Sequence, residues 1–156
     1  MSASALDASG GNPDRRQLSH RLAQFAHDVA GVQHAVMLAM DGLPIAASDG
    51  LDPDTVDKRA ATASVLISVA DRLGHDAGRG NLVLLNFRTE AMNFLFLYVT
   101  PDVGLTVEAD PDCNLGHVGH HMQRLRHDLA THLSSAPAPG STTPVNTDAA
   151  KERPCP

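Results

Sequence analysis

The 156-residue chain carries 18 acidic and 12 basic side chains, a formal charge of −6 with histidine neutral, and its lysines and arginines are scattered. That balance excludes the basic stripe of a nucleic-acid protein and disfavours docking on an anionic membrane. Two cysteines make neither a disulfide framework nor a metal cluster, and the absence of tryptophan with only 3% aromatics argues against a stacking platform for bases or sugars.

Residues 1–12 are Ser, Ala, Gly and Asp without a period and read as a disordered tail. They show no charged segment followed by an apolar one, and no run in the chain approaches a membrane span, so a soluble cytoplasmic protein is expected. Over residues 13–30, Leu18, Leu22, Phe25 and Val29 recur at helical spacing, predicting a first helix that ends near Gly31.

Residues 35–48, AVMLAMDGLPIAAS, place two apolar runs around Asp41-Gly42. Asp-Gly favours a two-residue type I′ turn. The register that follows pairs Met40 with Leu43, Leu38 with Ile45 and Val36 with Ala47 on one face. Ala39/Pro44, Met37/Ala46 and Ala35/Ser48 take the other. Pro44 lacks an N–H, which makes the second strand an edge and the first an interior strand.

Asp52, Pro53 and Asp54 are successive helix-start signals, predicting a second helix over residues 53–75. Its core stripe, Val56, Ala60, Ala63, Ile67, Ala70 and Gly74, is mostly small and suits the face of Ala35, Ala39 and Ala46. A second strip, Val65, Leu66, Val69 and Leu73, is more apolar area than one sheet face needs, which points to a contact with another subunit.

A glycine-rich turn, GHDAGRGN, precedes three antiparallel strands, NLVLLNFR, AMNFLFLYVT and VGLTVEAD. Phe94, Phe96 and Tyr98 alternate with Leu95, Leu97 and Val99, so the middle of the three is covered on both faces. A third helix starts at Asn114 on the stripe Leu115, Val118, Met122, Leu125 and Leu129. Gly116 and Gly119 mark a close crossing with the first helix or the sheet. Residues 134–156, rich in Pro, Ser and Thr, read as a second disordered tail. The folded domain therefore spans residues 13–133, in the order helix, two strands, helix, three strands, helix. That is an α+β pattern with too few crossovers for a parallel sheet.

No residue set forms a catalytic constellation. His117 and His121 stand one helical turn apart as zinc ligands can, but no HExxH glutamate accompanies them, and His120, His127 and His132 project elsewhere. A solvated helix face accounts for them. The aspartates 49, 52, 54 and 57 lack EF-hand spacing, the glycine-rich turn leads into a strand instead of a helix, and Ser48, Ser64 and Ser68 sit in no G-x-S-x-G context. No metal and no cofactor is expected, nor an enzyme.

The hairpin AVMLAMDGLPIAAS, the helix KRAATASVLISVADRL, the strands NFLFLYVTPDVGLTVEAD and the closing LGHVGHHMQRLRHDL together resemble the roadblock/dynein-light-chain family, most of all its small actinobacterial members. The resemblance covers residues 18–133. It implies a five-stranded antiparallel sheet in the order 2-1-5-4-3, with the second helix on one face and the other two on the opposite face. It also implies a homodimer built on the second helix and third strand, here Val65, Leu66, Val69, Leu73, Leu82 and Leu84. Such dimers bind or regulate small Ras-like GTPases, some as activators, and are often encoded beside a sensor-kinase-like protein and a small GTPase. Arg59, Thr62 and Arg72 are the corresponding candidates for GTPase contact, and Arg79 a further possible arginine finger. One departure is His120-His121, where many bacterial relatives have a Tyr-Glu or similar pair. A non-catalytic adaptor is the main expectation. The rival is a small-ligand sensor with a pocket at Met37, Met40 and Phe96.

Overall fold

The computed structural model describes residues 13–135. The tails expected at 1–12 and 134–156 lie outside the described residues, except Ser134 and Ser135, which belong to the last helix. The elements are α1 (Pro13–Asp28), β1 (Val32–Ala39), β2 (Pro44–Ala47), α2 (Pro53–Asp76), β3 (Leu85–Arg88), β4 (Asn93–Thr100), β5 (Val103–Ala109) and α3 (Leu115–Ser135). The five strands form one antiparallel sheet in the order β2-β1-β5-β4-β3. Pro44 stands on an edge strand, as its missing N–H requires.

Two cores sandwich the sheet. Leu18, Leu22 and Phe25 of α1 and Val118, Met122 and Leu129 of α3 bury Met37, Leu95, Leu97, Leu105 and Val107 on one face. On the other, Ala60, Ala63 and Ile67 of α2 pack on Leu38 and Phe96, with Met40, Phe94 and Tyr98 at the margin. The alternation expected along β4 is present.

The hairpin departs from expectation in its turn. Ala39 N–H donates to the Leu43 carbonyl (2.8 Å) and Gly42 N–H to the Ala39 carbonyl (2.9 Å), so the loop holds three residues instead of two. Gly42 has φ +97°, while no non-glycine among the described residues has positive φ, so the type I′ turn is not formed. Asp41 Oδ1 instead accepts the Leu43 N–H at 3.1 Å, and a single left-handed glycine after a type I turn closes the loop. Met40 donates to Asp102 (2.9 Å) and not across to Leu43. Val36/Ala47 and Met37/Ala46 pair as expected, but the register then slips to Leu38/Pro44, leaving Ile45 as the extra residue. Ser48 closes the far end twice, its N–H donating to the Ala35 carbonyl and its Oγ accepting the Ala35 N–H, both at 2.9 Å.

A second correction concerns α2, which packs on the Leu38 face, while Ala35 and Ala46 lie under α1 and α3. Ala61 and Ser64 of α2 lie against Gly42 of the hairpin turn, and Ile67 of α2 meets Gly104 of β5. A Cβ at Gly104 would stand 3.0 Å from Ile67 Cδ1 and 3.3 Å from Met40 Sδ, so the missing side chain is what lets the helix settle there. The start signals hold: Asp52 caps α2 through Oδ1, which accepts the Thr55 N–H at 2.9 Å.

The third is β3, expected from residue 81 and beginning only at Leu85. Asp71 Oδ1 accepts the Leu82 N–H at 2.8 Å, tying the approach to α2, and Arg126 Nε donates at 2.8 Å to the Tyr98 carbonyl on the stretch of β4 beyond β3's start. Gly119 lies beside Leu84 and Gly116 beside Asn114, so neither marks a crossing with α1.

Candidate interaction surface

Within α2, Val65, Val69 and Leu73 recur every fourth residue and are 61%, 62% and 70% exposed, an apolar ridge that the described residues leave uncovered. Leu84 is exposed too, whereas Leu66 and Leu82 are half-buried against the Leu38–Ile67–Phe96 core. Of the six residues expected at a dimer interface, the three of the ridge are therefore exposed, Leu84 is part-exposed but lies beside Gly119 of α3, and two serve the fold. Phe87 (48% exposed) and Val83 were missed. The signal for Phe87 was its place on a terminal strand, where half of each side chain lacks a neighbouring strand to cover it.

Arg59 is not the free arginine that its helical position suggests. Its Nε donates to the Glu108 carboxylate of β5, whose side chain is 6% exposed against 41% for Arg59, and the guanidinium lies 6.0 Å from the centroid of Phe94. Thr62 is exposed one turn further on. Arg72 stands 13 residues along the helix, about 20 Å away at 1.5 Å per residue. Its side chain is 83% exposed and only loosely faces Asp76 at 3.8 Å. The three expected contact residues thus fall into two places.

The first is a cleft of about 180 Å³ where α2 lifts away from β3, β4 and β5. Lys58, Arg59, Thr62 and Leu66 form its helix wall, and Phe87, Phe94 and Phe96 its sheet wall. Strand register explains the sheet wall, since Glu108, Phe94 and Phe87 form one row across β5, β4 and β3, and Thr106, Phe96 and Leu85 the next. The pocket expected at Met37, Met40 and Phe96 is not formed, because Met37 faces α1 and α3 while the other two face α2.

On α3, His117 and His121 touch edge-on with ring centroids 4.4 Å apart, and His120 lies 5.5 Å from His121. Partial burial, then the neighbouring His117, His120 and Arg124, lower the His121 pKa from 6.5. Among the described residues, no three His, Cys, Asp or Glu side chains converge as metal ligands. Ser64 and Ser68 donate back to the carbonyls of Ala61 (2.8 Å) and Ser64 (2.7 Å), ordinary intrahelical bonds.

The topology is that of a layered α+β domain, with an exposed apolar ridge and an aromatic cleft on one helix. The chain belongs to the Roadblock/LC7 family, whose domain profile matches residues 18–109. It is similar to two solved Roadblock/LC7 domains from Streptomyces avermitilis. One is 24% identical, with a TM-score of 0.71 over 75% of this chain and 98% of that one. The other is 27% identical, with a TM-score of 0.60 over 72% and 97%. MglB of Myxococcus xanthus shares the fold at 13% identity, with a TM-score of 0.72 over 80% and 93%. A search of curated proteins finds no match. Among the described residues no helix is long and apolar enough to cross a membrane.

Proposed function

We propose that this protein is a cytoplasmic homodimeric adaptor that binds a small Ras-like GTPase and regulates it without itself carrying out chemistry. Family membership supports the GTPase as partner, and the observation that carries the reading is the Val65–Val69–Leu73 ridge. Three large apolar side chains left exposed on one helix face are best accounted for by a second surface that covers them. The homodimer forms on this ridge together with Leu84, and Leu66 and Leu82 support it from beneath.

Regulation acts by positioning. Arg59 is held by Glu108 and cannot leave its partner without stranding a buried carboxylate, so it is poorly suited to reach into a nucleotide site. Arg72 remains exposed and suits an acidic group on the GTPase. A sensor-kinase-like protein is a further expected partner.

The test is isothermal titration with the cognate GTPase loaded with GDP or a non-hydrolysable GTP analogue. Alone, the protein neither binds nor hydrolyses GTP. With the GTPase it forms a complex whose affinity depends on the bound nucleotide, and equal absence of binding to both forms removes the reading.

A further inference from the structure

From the cleft between α2 and β3–β4 we infer the chemistry of the contact that a partner makes there: one aromatic side chain, seated against Phe87 and Phe94, with a carboxylate beside it facing Lys58. The inference rests on the proposed function for the identity of the partner, but not for the preference of the cleft.

Volume sets the size of the occupant. Pockets for drug-sized molecules span roughly 300–1,000 Å³, whereas an apolar cavity of about 150 Å³ accepts benzene. At about 180 Å³ this cleft suits a single ring and not a metabolite. Its walls set the occupant's nature. Phe87 and Phe94 are tilted 44° with centroids 6.0 Å apart, and Phe87 is half exposed, so a third ring has both a face and an edge to meet. Such an anchor in a preformed slot is the usual form of a dominant interface residue.

Charge sets the neighbour. Lys58 and Arg59 stand together at the mouth of the cleft, with Asp54 and Asp57 the acidic residues of the same helix nearest to it in sequence. Glu108 neutralises Arg59 through Nε from below, while Lys58 is exposed and makes no ion pair with a described residue. One exposed cation without an ion-pair partner among the described residues, set over an apolar slot, favours an acidic flank and opposes a basic one.

The experiment titrates full-length protein labelled with nitrogen-15 with 3-phenylpropionate, propionate and phenethylamine, reading amide shifts. The expected result is saturable shifts at residues 58–66 and 87–96 with 3-phenylpropionate, at least fivefold weaker binding of phenethylamine, and no saturable binding of propionate. Thr62→Trp, which fills the slot from an exposed position, abolishes the shifts, and Lys58→Glu reverses the order of the two aromatic probes. Equal affinity for both aromatic probes, shifts centred elsewhere, or a Thr62→Trp variant that still binds overturns the inference. A GTPase that fails to bind while these arms succeed removes the proposed function and leaves the cleft's preference standing.

Discussion

Glu108 of β5 and Arg59 of α2 form the one ion pair among the described residues whose carboxylate is buried, and it ties the sheet to the helix that carries the exposed ridge. Removing one partner of such a pair leaves a charge that protein no longer satisfies and water barely reaches. Arg59→Ala is therefore expected to cost about 2 kcal/mol, below the ~3–5 kcal/mol of a fully enclosed pair because Arg59 is part-solvated. The double change Arg59→Met with Glu108→Leu recovers most of that loss, since no charge is left behind. Urea unfolding of the single and double variants measures both.

Oligomeric state separates two residues that looked alike in the sequence. Val69→Glu places a carboxylate on the exposed ridge, so a folded monomer with little change in melting temperature is expected, against a wild-type dimer at tens of micromolar. Leu66→Glu pushes the same charge against the core of α2, so it lowers the melting temperature as well as dissociating the dimer. Sedimentation velocity with thermal melts of both variants distinguishes the two effects, and a monomeric wild type removes the interface assignment.

The approach of α2 to the sheet depends on the space at Gly104. Gly104→Ala sets a methyl against the ends of Ile67 and Met40, which can give, so a loss of about 1 kcal/mol or less is expected, whereas Gly104→Val brings about 1–3 kcal/mol. Ile67→Val alone removes a buried methyl at a cost of about 0.5–1.5 kcal/mol. In the Gly104→Ala background that cost shrinks, because the deleted Cδ1 is the atom in the way. A double-mutant cycle in denaturant reads the coupling.

The element order, the edge position of β2 and the two-sided burial of β4 were legible because each rests on local signals: a proline, an alternation, a run of caps. Apart from the hairpin turn, what escaped the sequence depends on partners brought from far along the chain. The Asp41 carboxylate, by capping Leu43 N–H, favours a three-residue turn over the one that Asp-Gly usually makes. The close approach of α2 to the sheet rests on Gly104, some 40 residues beyond the helix's middle. Arg59 reads as a solvated helix position until β5 delivers Glu108 beneath it. The cleft was half visible, as Phe94 and Phe96 alternating onto one face. Its other half, Phe87, sits on a strand that begins later than its apolar run does, because Asp71 and Arg126 take the hydrogen bonds an earlier start would use.

Stability in mild acid reports on His121. Its pKa is lowered in the folded state, so below 6.5 the unfolded chain takes up the proton first, and stability falls as pH drops from 6.5 toward the folded value. Below the folded value the contribution is flat. His121→Gln removes this slope and His117→Gln reduces it, since His117 supplies part of the shift. Chemical denaturation between pH 7 and 5 checks the expectation, and an unchanged slope in His121→Gln refutes it.

Partner binding is the sharpest test of where the surface lies. Arg72 is exposed and loosely held, so Arg72→Ala can remove a contact with an acidic group on the GTPase without disturbing the fold, and a roughly tenfold or greater loss of affinity is expected if it is an interface anchor. His117→Ala and His121→Ala lie on α3, across the sheet from α2, and leave the affinity within about twofold. Arg59→Ala weakens binding too, but its melting temperature falls with it, whereas Arg59→Met combined with Glu108→Leu restores the fold without the guanidinium. Titration of all these variants against the loaded GTPase separates the cases. If the double variant binds as the wild type does, Arg59 serves only the fold. If only the histidine variants lose affinity, the docking face is α3 and the α2 assignment is wrong.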